Sequence, residues 1–243
     1  MTGNESKMQK GRAWWAVWAL LSRSSFYKIL AVLCLMALGE SLFFYRILGG
    51  DGRPGSLEEL VNAGLTSMFF MAALGMILLI LVRTVRQTEE KGRYTLMRLK
   101  ISQGRRFFIR TAYCALCLTV LFSVQIVLIF CAAEQYKAAM GTGDVSEQFL
   151  FLAFYRNEFL HGILPMAETG KWVRNLLLIL AFSMETAGGR KNGVVTLISL
   201  FVLTSVWFVS PVGMGYRDGI VDFVSIVVIA AELLQTFFAR DSE

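Results

Sequence analysis

The chain contains few of the residues from which catalytic and metal centres are built. It has one histidine, His161, among 243 residues, and the patterns GxxxxGK[ST] and HExxH are both absent. A single imidazole excludes a histidine-rich metal site, and a chain without the phosphate loop carries no signature of ATP hydrolysis. The four cysteines lie in apolar windows, which are poor places for redox exchange. We therefore expect no catalytic residues and no metal ligands.

Charge is also scarce. Only 17% of the residues are charged, whereas 56% are hydrophobic and the mean hydropathy is +0.57. A soluble domain of this size has too little interior to bury so much apolar surface. Helices satisfy their own backbone hydrogen bonds in lipid, and the apolar runs lack the alternation of a barrel, so the sequence predicts an all-α integral membrane protein.

Six windows are apolar and near the length needed to cross about 30 Å of hydrocarbon as helices. They cover 26–46, 60–82, 107–133, 172–187, 194–210 and 219–238. If the N-terminus is inside, 17 of the 24 basic residues fall in inner segments, and the acidic residues of the loops lie mostly outside. This predicts a multi-pass protein of a bacterial cytoplasmic membrane with both termini cytoplasmic. The net charge of +6 then describes a face towards lipid rather than a surface for nucleic acid.

The N-terminal segment 11–24 contains indole side chains at helical spacing, Trp14, Trp15 and Trp18, close to Arg12. Indole rings favour the headgroup boundary and basic residues favour anionic lipid. We interpret the segment as an elbow helix lying in the inner interface. The alternative is a cytoplasmic extension of the first span.

The segment 134–171 is the longest predicted outer connection, and it is rich in aromatic residues. Its part 149–164 reads FLFLAFYRNEFLHGIL and is followed by a proline. The polar residues in this part make a span unfavourable, so we expect an amphipathic helix that lies on the outer leaflet or dips into it. It would act either as a structural lid or as a gate over an exit route. The gate candidates are Phe151, Tyr155, Phe159 and His161.

Four acidic residues lie inside predicted spans, Glu40, Glu185, Asp222 and Glu232, and of these Glu40 in the first span and Glu232 in the sixth are the candidates for a pathway or a helix lock. A charge in lipid is costly and normally faces protein or water. Each of these two candidates therefore either lines a pathway or locks helices together, and the sequence leaves both options open.

The densest block of charge, RQTEEKGRYTLMRLKISQGRR at 86–106, links the second and third predicted spans. Its apolar residues fall on two faces of a short helix, which predicts one contact with the membrane domain and one with another protein. The residues that we expect to make these contacts are Glu89, Glu90, Arg93, Tyr94, Leu96, Met97, Leu99 and Ile101.

This loop resembles a motif of permease subunits in the exporter class of ATP-binding-cassette (ABC) transporters. That motif reads E-x-G-T-L-x-x-L-x-x-S/P-x-S-R. The residues that carry the resemblance are Glu90, Gly92, Thr95, Leu96, Leu99 and Ser102, with Arg105 or Arg106. Two residues separate the glycine from the threonine, and no proline precedes the serine. The order of elbow, six spans and a single permease domain over 1–243 also resembles these subunits.

The resemblance implies that 86–106 forms a cytoplasmic coupling helix that docks on a separate ABC ATPase subunit, present in two copies. ATP and Mg would be bound by that partner, and this chain would bind no cofactor and catalyse no reaction by itself. A second permease chain, identical or different, would complete the dimer. The implied activity is export of an amphipathic or hydrophobic cargo, such as a peptide, drug or lipid, with antimicrobial peptide immunity as one possible role. The alternatives are a membrane scaffold or sensor without transport, and an intramembrane enzyme pairing Glu40 or Glu232 with His161.

Overall fold

The computed structural model describes residues 3–49, 56–63, 65–98, 102–140, 147–165, 168–189, 193–209 and 216–238. These residues form helices joined by short connections, with no strand among them. The helices are α1 (Gly3–Leu48), α2 (Leu57–Ala63), α3 (Thr66–Arg98), α4 (Gln103–Met140), α5 (Glu147–Arg156), α6 (Glu158–Ile163), α7 (Thr169–Gly188), α8 (Gly193–Val209) and α9 (Tyr216–Phe238). The prediction of an all-α protein is confirmed for this part of the chain.

Four stretches of helix are long and apolar enough to cross a membrane. They cover Trp15–Leu48, Leu57–Glu90, Gln103–Ala139 and Asp218–Thr236. The predicted spans 172–187 and 194–210 are not among them. The helix α7 carries Arg174, Asn175 and Glu185 within twenty residues, and α8 is only 17 residues long. The long apolar helices indicate a membrane protein, while the count of six spans is not confirmed.

The helices α3 and α4 form an antiparallel hairpin. Glu89 near the end of α3 pairs with Arg110 near the start of α4. At the other end of the hairpin, the rings of Phe70 and Phe122 lie 5.1 Å apart. The charged part of α3 therefore extends alongside the first turns of α4.

The helices α7 and α9 run parallel in a constant register. Arg174 pairs with Asp218, 44 positions later. Fourteen residues further along, Gly188 lies against Glu232, which is again 44 positions later (232 − 188). Residues on the facing sides of these two helices therefore lie opposite partners about 44 positions apart.

The helices pack in two groups of three that follow the chain order. The first group consists of α1, α3 and α4, and the second consists of α7, α8 and α9. The helix α7 joins the groups because it packs extensively against α4 and also contacts α3. It is the central helix of the bundle and more than half of its residues are buried.

The predicted elbow helix 11–24 is not a separate element, because α1 runs through it without a break. At 46 residues α1 is about 69 Å long, more than twice the thickness of a hydrocarbon core. The serines that suggested a break are accommodated within the helix, since the hydroxyls of Ser22 and Ser25 bond to the backbone oxygens of Ala19 and Leu21. This matches the alternative in which the N-terminal segment extends the first span.

The expected coupling helix is also not separate from its neighbours in the part of 86–106 that is described. The helix α3 continues to Arg98, and α4 begins directly after Ser102. The stretch 83–98 contains no proline and a single glycine, Gly92, so nothing in it forces α3 to end. The break instead precedes α3, where Leu65 adopts a left-handed φ of 52° inside the predicted span 60–82.

The expected single helix over 149–164 is divided into α5 and α6 at Asn157. The Asn157 side chain accepts hydrogen bonds from the backbone amides of Phe159 and Leu160, which makes it the N-cap of α6. Its Nδ2 donates to Asn62 Oδ1 at 3.2 Å and thereby ties this segment to α2.

Candidate functional site

The structure places two charged clusters at opposite ends of α7. We call the first the Glu89 junction, consisting of Glu89, Arg110 and Gly189. Glu89 on α3 forms an ion pair with Arg110 on α4, whose side chain is 6% exposed. Gly189 ends α7 with a left-handed φ of 63°, and a Cβ placed on it would lie 3.3 Å from Glu89 Oε2. One carboxylate therefore contacts α4 and the end of α7 together.

The Glu89 junction changes the interpretation of the predicted coupling residues. A buried guanidinium requires a charged partner, and Glu89 supplies it within the chain. Glu90 is exposed and has no such contact among the described residues. We therefore assign different contacts to the two glutamates. Glu89 faces the bundle, and Glu90 faces away from it.

The remaining coupling candidates lie outside the described side chains. Arg93, Tyr94, Leu96 and Met97 belong to the helical backbone of α3, and Leu99 and Ile101 lie outside the described residues altogether. Their predicted contacts with a partner stay predictions.

Glu232 lies near the Glu89 end of the bundle and is buried on α9. A Cβ placed on Gly188 would lie 2.8 Å from Glu232 Oε2, which is closer than real Cβ contacts allow. The backbone of α7 at position 188 therefore lies directly against the carboxylate end of the Glu232 side chain. This geometry places Glu232 in a helix contact.

Glu40 is buried in the first group of helices. It accepts a hydrogen bond from Gln125 Nε2 at 3.1 Å, so the side chain joins α1 to α4. Each of the two acids thus lies at a contact between helices. A role in a transport pathway stays a hypothesis for both.

We call the second cluster the Arg174 cluster; it consists of Arg174, Asn175, Gly162, Trp207 and Asp218. Arg174 is fully buried, and its Nη1 donates to Asp218 Oδ1 at 2.7 Å. Its Nη2 donates to the backbone oxygen of Gly162 at 2.9 Å and to Asn175 Oδ1 at 3.0 Å. The guanidinium carbon lies 3.7 Å from the centre of the Trp207 ring.

The Arg174 cluster joins four helices. Gly162 belongs to α6, Trp207 to α8 and Asp218 to α9, while Arg174 itself lies on α7. Trp207 Nε1 also donates to Asp218 Oδ1 at 3.0 Å, so the carboxylate is held from two sides. Sequence analysis missed this cluster because it examined acids within spans and not bases. The signal was present, since Arg174 lies inside the predicted span 172–187, where a charge requires a protein partner.

The gate candidates are only partly brought together. Phe159 is buried, and its ring centre lies 6.0 Å from Phe70 and 5.9 Å from Phe208. Tyr155 is 57% exposed, and its ring lies 5.1 Å from that of the buried His161. The side chain of Phe151 lies outside the described residues. Phe159 therefore packs into the core, whereas Tyr155 lies at the surface beside His161.

Glu168 stands at the start of α7 and is held by two basic side chains. It accepts a hydrogen bond from Lys171, with which it also forms a 3.0 Å ion pair, and its Oε1 lies 3.3 Å from His161 Nε2. The hydrogen bond with Lys171, followed by that with His161, lowers the pKa of the Glu168 carboxyl below its ordinary value.

Comparison of the chain with protein-family models, with curated proteins and with solved structures finds no match. In the described ranges there is also no group of three or more His, Cys, Asp or Glu side chains placed to hold a metal ion. The functional argument therefore rests on the two charged clusters and the helix between them.

Proposed function

We propose that the chain is the membrane-spanning permease subunit of an ABC exporter, with six spans in a bacterial cytoplasmic membrane and both termini cytoplasmic. A separate ATPase subunit in two copies supplies ATP hydrolysis, and a second permease chain completes the pathway. The cargo is an amphipathic or hydrophobic molecule. The support comes from the long apolar helices and the charge distribution, together with the motif between α3 and α4.

The observation that carries the proposal is the Glu89 junction. The charged end of the α3–α4 hairpin holds the motif residues, and Glu89 at its base contacts the end of α7. The helix α7 spans about 30 Å and carries Arg174 at its other end. A movement of the hairpin can therefore be transmitted through α7 and the Arg174 cluster to α6, which belongs to the segment predicted to be the gate.

In this mechanism the hairpin responds to closure of the ATPase subunits. The partner must bind two conformations of the permease with different affinity, because a ligand shifts an equilibrium only by its differential affinity. The Glu89 junction transfers a hairpin movement to α7, and the Arg174 cluster transfers it to Gly162 on α6. Tyr155, on the exposed side of α5, is placed to follow that movement.

The alternative of a membrane scaffold or sensor uses the same hairpin surface without transport. The alternative of an intramembrane enzyme requires Glu40 or Glu232 to meet His161. The contacts of His161 are with Tyr155 and Glu168, whereas Glu40 bonds to Gln125. Glu232 lies near Gly188, at the opposite end of α7 from the Arg174 cluster. No specific contact favours the enzyme, and the scaffold is distinguished by experiment.

The test separates docking from transmission. The tagged full chain and its variants are purified from the native host, and the purified complexes are assayed for ATPase activity. Cell survival is measured with amphipathic antimicrobial peptides. We expect Glu90→Lys to lose the associated ATPase, because the exposed residue belongs to the docking surface. Glu89→Gln should keep the ATPase and lose survival, because the junction is weakened. Gln87→Lys adds a positive charge at a neighbouring exposed position and serves as the control.

Two results would overturn the proposal. The first is that the wild-type chain purifies without ATPase activity. The second is that Glu90→Lys retains the wild-type level of associated ATPase. A complex that forms normally but gives no protection against any peptide or drug, with ATP hydrolysis dispensable for its cellular role, would favour the scaffold.

A further inference from the structure

The interface between α7 and α9 contains polar groups that neither the Glu89 junction nor the Arg174 cluster uses. One turn beyond Asp218 on the same face of α9 lies Asp222, and three residues further lies Ser225. Asp222 Oδ1 and Ser225 Oγ are both buried and have no hydrogen-bond partner among the described residues. We call these two residues the seam site.

Ser225 is one of three buried helical hydroxyls, with Thr66 and Thr186, that have no hydrogen-bond partner among the described residues. Its side chain is fully buried, yet it makes no hydrogen bond to the carbonyl four residues earlier. That bond is made by Ser25, Thr88, Thr111, Thr119, Ser123, Ser183, Thr204, Ser205 and Thr236. The Ser225 hydroxyl is therefore directed away from its own backbone and is free to accept or donate.

The register of the two helices places Ser225 opposite a small residue. A constant offset of 44 positions puts Ala181 across from Ser225 (225 − 44) and Leu178 across from Asp222 (222 − 44). Ala181 is fully buried, and its methyl group leaves more room than the leucine would. Position 225 thus lies opposite a small side chain, whereas position 222 lies opposite a leucine.

The charges around the seam site do not balance. Arg174 on α7 carries one positive charge, and it pairs with Asp218 and is attracted by Asp222. Asp218 and Asp222 lie one turn apart on α9 and repel each other. The described residues of α8, which packs on the same region, contain no ionisable side chain. Glu168 also acts on Arg174 but is paired with Lys171. Among the described side chains, two carboxylates therefore face one guanidinium and leave an excess of one negative charge at a half-buried position.

We propose that the seam site binds one monovalent cation, either a sodium ion or a hydronium ion, between Asp222 and Ser225. A carboxylate and a hydroxyl oxygen are ligands suited to a hard cation. A single positive charge neutralises the excess of one negative charge and supplies a partner for both oxygens. The proposal goes beyond the proposed export function and does not depend on an ATPase partner.

The experiment uses the purified full chain in detergent and follows its thermal unfolding. Sodium chloride is exchanged for choline chloride at constant ionic strength, and the series is repeated over a range of pH in choline. A bound cation stabilises the folded state, so the Tm rises with sodium and each tenfold increase above the dissociation constant adds the same increment. If hydronium is the ligand, the Tm in choline rises on acidification in the wild type relative to Asp222→Asn.

Matched variants separate the seam site from general effects of salt and acid. Asp222→Asn removes the excess charge with little change in shape, and Ser225→Ala removes the hydroxyl oxygen. Ser183→Ala removes an equally buried hydroxyl on α7 that is already bonded to its own helix, so it should keep the response of the wild type. We expect Asp222→Asn and Ser225→Ala to lose the response to the cation.

Two results together would overturn the proposal. In the first, the Tm of the wild type does not change with sodium. In the second, acidification changes the Tm of the wild type no more than that of Asp222→Asn. The proposal would also be overturned if Asp222→Asn and Ser225→Ala responded like Ser183→Ala. If one of the two variants does not fold, the sodium series of the wild type is compared with the other variant and with Ser183→Ala.

Discussion

Replacing Asp218 by asparagine tests the buried charge of the Arg174 cluster without removing volume. Arg174 is fully buried, and its Nη1 lies 2.7 Å from Asp218 Oδ1. An asparagine can keep an oxygen in this position, so it can still accept from Arg174 and from Trp207 Nε1. The substitution therefore removes the negative charge and largely preserves the hydrogen-bond geometry.

The expected loss in the free energy of unfolding follows from what is generally found when a buried charge loses its partner. Removing one partner of a buried ion pair costs about 3–5 kcal/mol. Two features favour the lower end of this range, since the Asp218 side chain is 30% exposed and Asp222 remains close to Arg174. We expect a loss of about 3 kcal/mol in the free energy of unfolding. For a chain of this length such a loss lowers the Tm by roughly 6–12 °C.

The assay is thermal unfolding of the purified variants in detergent, followed by circular dichroism. Glu168→Gln is the control, because that carboxylate belongs to an exposed pair whose loss costs about 0–1 kcal/mol. Arg174→Lys keeps the charge but cannot reproduce the planar fork, so it should also lower the Tm. If Asp218→Asn unfolded at the same temperature as Glu168→Gln, the assignment of a buried, charge-dependent clamp would be refuted.

Two further predictions concern the ends of α7. Gly188→Ala places a methyl group against the Glu232 carboxylate, and because the end of this side chain can turn aside, the cost should be near the lower end of the range for overpacking, about 1 kcal/mol. The matched variant Gly219→Ala has open space around its Cβ and should be neutral or slightly stabilising in the same unfolding assay; equal losses in both would contradict the close contact. Because hydrogen bonding to Lys171 lowers the pKa of Glu168, its stabilising contribution is present above the ordinary carboxyl pKa and is lost as the pH falls through the lowered value. As the pH is lowered, the Tm of Glu168→Gln should therefore fall slightly less than the Tm of the wild type. An unchanged dependence of the Tm on pH would contradict this prediction.

Composition was sufficient to predict an all-α protein with long apolar helices, because the excess of apolar residues leaves few other structures open. The prediction of a separate elbow helix over 11–24 differs from the structure, in which α1 runs through this segment. The serine run around Ser22 and Ser25 is polar in sequence, but its hydroxyls bond to the backbone of α1 and the helix continues. Polarity alone does not end a helix when the side chains satisfy themselves locally.

The candidate site was less accessible to sequence reasoning. The predicted contact of Glu89 with a partner protein stays a prediction, and its observed partner is Arg110 in the same chain. The Arg174 cluster depends on pairing across 44 positions between helices that are not neighbours in sequence. No local periodicity encodes such a register, because it depends on the packing of α7 against α9.

The grouping of the helices has a consequence for how the chain assembles during synthesis. A ribosome delivers α1, α3 and α4 first, and these three helices already pack on one another. The second group follows, and its addition buries α7 against a surface that has formed earlier. Arg174 is enclosed late, because its partners Trp207 and Asp218 are made after it. Until α9 emerges, this arginine lacks its counterion, so the second half of the chain is the part that most needs protection while it inserts.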